Sequence, residues 1–205
     1  VVTSEAARGQ RIPITDVELR DEWIQAWPAY VYALTKYMQE VMCEYFTRIE
    51  GIKTICLRNG GFGAPYGRSK IGRPLQQVGS ALLYQRLVTR NDMARAAVLA
   101  IENQTLEHEV FLLCNSTEFT REDVPTLRTN PEQVIEEYYP GAVSLLTEYG
   151  VDIQRLYDSK NLWKLDDISK AERLLGWKPS FTFRDFYGNL KAGKYAKDYV
   201  FSYWD

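Results

Sequence analysis

Ile52-Lys53-Thr54-Ile55-Cys56-Leu57-Arg58-Asn59-Gly60-Gly61-Phe62-Gly63-Ala64-Pro65-Tyr66-Gly67 is the stretch that decides the fold. Its first six residues form a short, β-branched apolar run, as in a strand buried on both faces. Asn59 to Gly67 is too glycine-rich for either regular element and reads as a loop at the strand's carboxyl end. Upstream, from about Ala29 to Ile49, apolar side chains recur at Val31, Leu34, Met38, Val41/Met42, Tyr45 and Ile49. That is a 3.6-residue rhythm, and Gly51 ends the helix. Downstream, Asp92 is expected to cap a helix carrying Met93, Ala96, Ala97, Ala100 and Ile101 on one face, before a second buried strand at Val110 to Cys114. Helix, strand, loop, helix and strand in this order, with fully apolar strands, predict part of an α/β parallel sheet.

The flanking sequence fills in the outline. Val1-Val2-Thr3 reads as the tail of another buried strand, turning at Ser4-Glu5-Ala6-Ala7-Arg8-Gly9, with a loop over 9–28. Leu82-Leu83 and Leu87-Val88 read as short extended pieces. Thr120 with Asp123 makes a capping-box start. Residues 131–149 read as helix broken at Pro140-Gly141, and Asp166-Asp167 cap Ser169 to Leu175, closed by Gly176. This second half reads as a mostly helical lobe rather than more sheet.

Composition bounds the function. The 205 residues are 45% hydrophobic and 13% aromatic, enough for a buried core. Twenty-five basic against 27 acidic side chains leave −2, so nothing global draws the chain to nucleic acid or an anionic membrane. His108 is the one histidine, which removes Ser-His-Asp hydrolases and histidine-rich metal sites; no metal is expected. Cys43, Cys56 and Cys114 lack CxxC spacing and sit in apolar segments, as reduced core thiols of a cytoplasmic protein would. No apolar run approaches the roughly 18 residues of a membrane span, and no signal-peptide pattern is visible.

Tyr32-Ala33-Leu34-Thr35-Lys36 puts a phenol and an ammonium at i and i+4, off the apolar stripe, where both can face a cleft. A phenol with an ordinary pKa of about 10 is a poor base at neutral pH, and a neighbouring cation favours the phenolate. Such a pair can take a proton from a sugar hydroxyl while a hydride leaves the same carbon. With 14 tyrosines the spacing alone means little, and Tyr66/Lys70 and Tyr187/Lys191 share it. Only Tyr32/Lys36 falls on an amphipathic helix between two strands.

Several features in order resemble the extended short-chain dehydrogenase/reductase family, the NAD-dependent epimerase/dehydratase group. A strand ends in Thr3-Ser4 with Gly9 five residues on, similar to the family's Ser-Ser-x-x-x-Tyr-Gly turn. Tyr32-x-x-x-Lys36 comes next, and the strand at Ile52–Leu57 ends in Arg58 as the family's Leu-Arg strand does. Asn91-Asp92-Met93-Ala94-Arg95-Ala96 is similar to its Asp-Asp-Val-Ala helix start. Asp167-Ile168-Ser169-Lys170-Ala171-Glu172-Arg173-Leu174-Leu175-Gly176-Trp177-Lys178-Pro179 resembles the family's carboxy-terminal Asp-x-Ser-Lys-Ala-x-x-x-Leu-Gly-Trp-x-Pro signature almost position for position. This last signature is specific; the others gain weight from their order.

The resemblance implies Tyr32 as general base, Lys36 lowering its pKa and holding the ribose of NAD or NADP, and Ser4 holding the substrate hydroxyl. Backbone at Asn59 and Gly60 would border the nicotinamide, and Arg58 would be a structural ion-pair residue. The implied substrate is a sugar or nucleotide sugar, and the implied reaction hydride transfer at a carbinol.

Departures refine this. The family's dehydratases carry Thr-Asp-Glu where this chain has Ser4-Glu5-Ala6, which disfavours sugar dehydration. Glu5 is either a substrate contact or a solvated turn carboxylate. Gly61 takes the position of the family's diphosphate-binding asparagine, which leaves room for a free sugar. Arg86 and Arg90 either meet an anionic substrate group or sit in solvent. Asp167 and Ser169 read as structural caps, and the tyrosine-rich tail as packing or oligomer contact.

A dinucleotide needs a glycine-rich turn opening a helix. No GxxGxxG comes after a strand here, and Gly60-Gly61-x-Gly63 precedes no clear helix. The chain also opens on Val1. The expectation is a carboxy-terminal portion lacking the amino-terminal dinucleotide-binding half, with roughly 100 or more residues absent at about 30 per βαβ step. Residues 1–114 would then be the later part of a Rossmann-like catalytic domain, with 60–86 a substrate-side loop insertion and 115–205 a substrate-binding lobe. It would work as a homodimer or with an amino-terminal partner chain; the alternative is a non-catalytic remnant or interaction module of the same fold.

Overall fold

The computed structural model describes residues 1–4, 18–20, 30–62, 73–83, 85, 87–153 and 165–201. Its centre is a parallel sheet of β1 (Val2–Ser4), β3 (Thr54–Asn59) and β7 (His108–Leu113), in the order β1-β3-β7. Val2 pairs with Leu57 and Ser4 with Asn59; Thr54 pairs with His108 and Asn59 with Leu113. The three strands therefore end level at Ser4, Asn59 and Leu113. Shorter pairs surround this sheet. Parallel β2 (Glu18–Arg20) joins β8 (Leu165–Asp167), and β4 (Gly61–Phe62) joins β6 (Leu87–Val88). Antiparallel β5 (Arg73–Pro74) joins β9 (Val200–Phe201).

Alternation along β3 shows why helices cover both faces. Thr54, Cys56 and Arg58 turn toward α1 (Val31–Glu50), where Thr54 Oγ1 bonds the Cys43 carbonyl at 3.1 Å and Arg58 bonds Glu40. Leu57, with Ile55 beside it, packs in a core with Met93 and Ala96 of α3 (Arg90–Glu102). Gly51 stops α1 in the left-handed conformation at φ 68°, as expected. The cap of α3 differs from expectation. Thr89 is the capping residue, accepting from the Asp92 amide at 3.0 Å, and Asp92 sits three positions on. Its carboxylate returns the contact at 2.8 Å, and an acidic residue at that third position imitates a cap in the bare sequence.

The α1 stripe reverses as well. Val31, Leu34, Met38, Val41, Met42, Tyr45 and Ile49 are exposed, and the buried positions are Ala33, Glu40 and Cys43. Leu82-Leu83, expected as extended, end helix α2 (Leu75–Leu83), because Leu75, Val78 and Leu82 keep a helical rhythm that the leucine doublet masks. Leu87-Val88 is a strand as expected.

The helical second half matches the sequence closely. A 3₁₀ turn (Arg121–Asp123) opened by the Thr120/Asp123 capping box leads into α4 (Val124–Thr129), α5 (Pro131–Tyr138) and α6 (Ala142–Glu148), broken at Pro140-Gly141. Asp167 Oδ1 accepts from the Ser169 amide at 2.8 Å, ahead of a π-helical turn, α7 (Ala171–Leu175), that Gly176 closes at φ 69°. Trp177 is fully buried, and its indole donates to the Asp92 carbonyl at 2.8 Å. Asp92 Oδ1 also accepts from the Ser180 amide, so this stretch is bolted to α3 and the sheet core. A second core unites α2 and α4–α6 with α8 (Phe183–Lys191), built around Tyr139, Phe183 and Phe186.

Candidate active site

Ser4, Asn59 and Gly60 come together at the carboxyl ends of β1 and β3, where open α/β sheets place their ligands. Ser4 and Asn59 are both buried, at 8% exposure. The Asn59 side chain donates to the Gly60 carbonyl at 2.8 Å, and the Gly60 amide to the Leu113 carbonyl at 2.8 Å. Gly61 is the first residue of β4, registered with Leu87. Glu5 and Arg86 lie outside the described residues, as do Tyr66 and Lys70.

Tyr32 and Lys36 occupy the first turns of α1. Tyr32 is half exposed, and the Lys36 ammonium stands 5.8 Å from its ring centroid. Lys36 Nζ also donates to Gln39 Oε1 at 3.3 Å, and Tyr30 stacks on the Tyr32 ring at 6.2 Å. Tyr187/Lys191 shows what the same spacing does elsewhere. Lys191 again sits 5.8 Å from a ring, but Tyr187 is 8% exposed in the lobe core and its hydroxyl bonds the Pro140 carbonyl. Of these two pairs, only the one on α1 has a phenol open to an incoming molecule.

The two halves of this arrangement are tied by Glu40, a residue that no motif in the sequence singles out. Its Oε1 accepts from Thr3 Oγ1 at 2.7 Å and from Arg58 Nε at 2.9 Å, and its Oε2 from Arg58 Nη2 at 2.7 Å. Both charged side chains are almost fully buried. Arg58 is thus the ion-pair residue expected of it. The available signal for Glu40 is a carboxylate four residues past Lys36, on the opposite side of α1 from the apolar stripe. Beneath it, burial pushes the Cys56 thiol up to about 12, with the Cys43 thiol and the Glu40 carboxylate adding to the shift.

The donor set suits one end of a nicotinamide dinucleotide better than the other. A half-exposed phenol beside an ammonium on α1, with a buried serine and asparagine at the ends of β1 and β3, is the kind of donor set that a ribose and a carbinol take. The pyrophosphate end needs successive free amides at a helix start. Among the described residues, the Gly60 amide is already bonded and Gly61 opens a strand instead. No group of three or more possible metal ligands occurs among the described residues. A cavity of about 280 Å³ lies elsewhere, lined by Thr89, Arg90, Phe181, Tyr199 and Phe201 among others, and none of the five residues Ser4, Tyr32, Lys36, Asn59 and Gly60 borders it.

No protein-family profile matches the sequence, and no curated protein is similar to it in sequence. Solved structures are similar in fold. UDP-glucose 4-epimerase from Thermotoga maritima, determined with UDP-glucose, superposes with a TM-score of 0.54 at 19% identity, over 94% of this chain and 62% of that one. UDP-glucuronic acid 4-epimerase from Bacillus cereus, in complex with NAD, gives 0.50 at 17% identity over 95% and 61%. Glucuronic acid dehydrogenase from Chromohalobacter salexigens gives 0.53 at 12% identity over 94% and 50%. The chain thus spans about 60% or less of these structures, and its fold is a Rossmann-like parallel sheet with flanking helices and a helical carboxy-terminal lobe.

Proposed function

We propose that this chain is the carboxy-terminal, catalytic part of an NAD(P)-dependent epimerase or dehydrogenase acting on a sugar or nucleotide sugar. The observation that supports the reading is that Ser4, Asn59 and Gly60 lie together at the sheet's carboxyl end, while Glu40 of α1, the helix that carries Tyr32 and Lys36, is bonded to Thr3 and Arg58 just before Ser4 and Asn59. Residues 1–114 supply this site and 115–205 the lobe that receives the sugar.

In this scheme the Ser4 hydroxyl orients the reacting carbinol and Tyr32 accepts its proton. Lys36, whose ammonium stands over the Tyr32 ring, would with Tyr32 hold the ribose of the dinucleotide. A bound dinucleotide would supply a reversible hydride acceptor at that carbon, so the same residues would serve either epimerisation or net oxidation. Gly61, with no side chain to claim a diphosphate, favours a free sugar such as a uronate.

In this scheme a separate amino-terminal half would supply the pyrophosphate-binding turn. The exposed α1 stripe is the surface on which that half, or a second copy in a homodimer, would close. Three buried cysteines, none in a disulfide, favour a cytoplasmic setting, and among the described residues no helix is long and apolar enough to cross a membrane.

Calorimetry with NAD and NADP tests the reading, together with turnover assays on UDP-glucose and glucuronate. Both are run on the chain alone and with the polypeptide encoded immediately upstream. Micromolar binding with sugar-dependent turnover in either condition supports it. Absence of both under both conditions assigns the chain to the non-catalytic module instead.

A further inference from the structure

We propose that Glu40 is a positioning residue for the candidate site, setting the placement of α1 on the sheet and thereby where Tyr32 and Lys36 stand relative to Ser4 and Asn59. The inference rests on the functional reading above for what is being positioned; the positioning itself rests on contacts.

No large apolar side chain of this helix is fully buried: Val31, Leu34, Met38, Val41, Met42, Tyr45 and Ile49 are exposed, Tyr37 is half-buried, and the buried positions are Ala33, Glu40 and Cys43. Small residues in contact with a sheet leave a helix with little to resist rotation or sliding, because no ridge fills a groove. Polar contacts supply that resistance: Thr54 Oγ1 bonds the Cys43 carbonyl and the Thr47 hydroxyl toward the carboxyl end of α1, and the Glu40 clamp holds its middle, nearer Tyr32 and Lys36. Thr3 Oγ1 anchors Glu40 to β1 one residue before Ser4, and the two-toothed Arg58 contact anchors it to β3 one residue before Asn59. One carboxylate is thus bonded to the immediate neighbour of each buried polar residue at the strand ends.

Helix geometry carries the constraint outward. Lys36 lies one turn and Tyr32 two turns toward the amino end, about 6 and about 12 Å along the axis, on adjoining parts of the same face. A carboxylate bonded to three donors tolerates little movement, since any slide breaks charge-assisted bonds inside the protein. Glu40 itself touches neither Tyr32 nor Lys36, so its effect passes through the helix.

The test uses three variants: Glu40→Asp, which withdraws the carboxylate by one methylene but keeps its charge; Glu40→Gln; and Thr3→Val, which removes one anchor and leaves the ion pair. Circular dichroism selects the variants that fold. In these, tyrosine-labelled NMR tracks the Tyr32 ring, identified by its loss in Tyr32→Phe, together with the amides of residues 31–36. The expected result is displacement of the Tyr32 and 31–36 signals in every folded variant, smallest in Thr3→Val. Where turnover is measurable, kcat falls on the order of 10–100-fold in Glu40→Gln while KM stays within about threefold, with partial recovery in Glu40→Asp. Unmoved Tyr32 signals in a folded variant, or wild-type kcat in Glu40→Gln, overturn the proposal. Should wild type show no turnover, the functional reading fails while the NMR shifts still decide whether Glu40 positions the helix.

Discussion

Breaking the Glu40–Arg58 pair from one side should destabilise the chain far more than removing both partners. Both side chains are about 5–7% exposed, and their three short hydrogen bonds with Thr3 leave the guanidinium no ready route to water. Arg58→Met strands a carboxylate and Glu40→Met strands a guanidinium, each costing about 3–5 kcal/mol. In a chain of this size that lowers Tm by roughly 6–20 °C. The double variant puts two flexible apolar side chains in the same space and leaves the Thr3 hydroxyl without its acceptor, so it should fall within about 2 kcal/mol of wild type. The coupling between the two sites then exceeds about 4 kcal/mol. Urea unfolding monitored by tryptophan fluorescence, which buried Trp177 should report, measures all four proteins with a shared m-value. Single variants within about 1 kcal/mol of wild type, or a double variant equal to the sum of the singles, would refute a desolvated, mutually dependent pair.

The same packing sets other outcomes. At Gly79 an added Cβ would meet the Phe186 ring at 2.8 Å, so Gly79→Ala should cost about 1–3 kcal/mol in urea unfolding and Phe186→Leu should recover part of it. The Cys56 thiol is held at about 12 against an ordinary 9.0. Its folded pKa being the higher, its contribution to stability is full below pH 9 and is lost between pH 9 and about 12. Wild type should therefore lose stability across that window more steeply than Cys56→Ala, and an equal slope would remove Cys56 from the account. Val41→Lys and Met42→Glu, both on the exposed stripe, should change stability by no more than about 0.5 kcal/mol. They should abolish any self-association seen by light scattering; association that survives them lies on another surface.

The parts of the fold that are legible in the sequence have local causes. Apolar runs at 52–57 and 110–114 announce the strands that form at Thr54–Asn59 and His108–Leu113, and Gly51 and Gly176 stop helices by their left-handed backbone. The Thr120/Asp123 box and the Asp167 cap are three-residue signals of the same kind. Sequence and structure part where position depends on distant contacts. The α1 periodicity is correct as helix but silent about which face meets the sheet, because Glu40 is buried only by virtue of Thr3 and Arg58. At the candidate site, Ser4 and Asn59 become neighbours through strand register, and the sequence carries that register only weakly. The difference between Tyr32 and Tyr187 comes from context: one sits on a helix between strands, the other within the aromatic lobe core.

The proton-transfer role proposed for Tyr32 is tested by the rate of sugar-dependent dinucleotide reduction in wild type and Tyr32→Phe, under the condition where wild type turns over. The substitution removes one half-exposed hydroxyl that no part of the core needs, so circular dichroism and the urea midpoint should be unchanged. The expected rate in Tyr32→Phe is lower by roughly 10²–10⁴-fold. A Tyr32→Phe rate within a few-fold of wild type would contradict it.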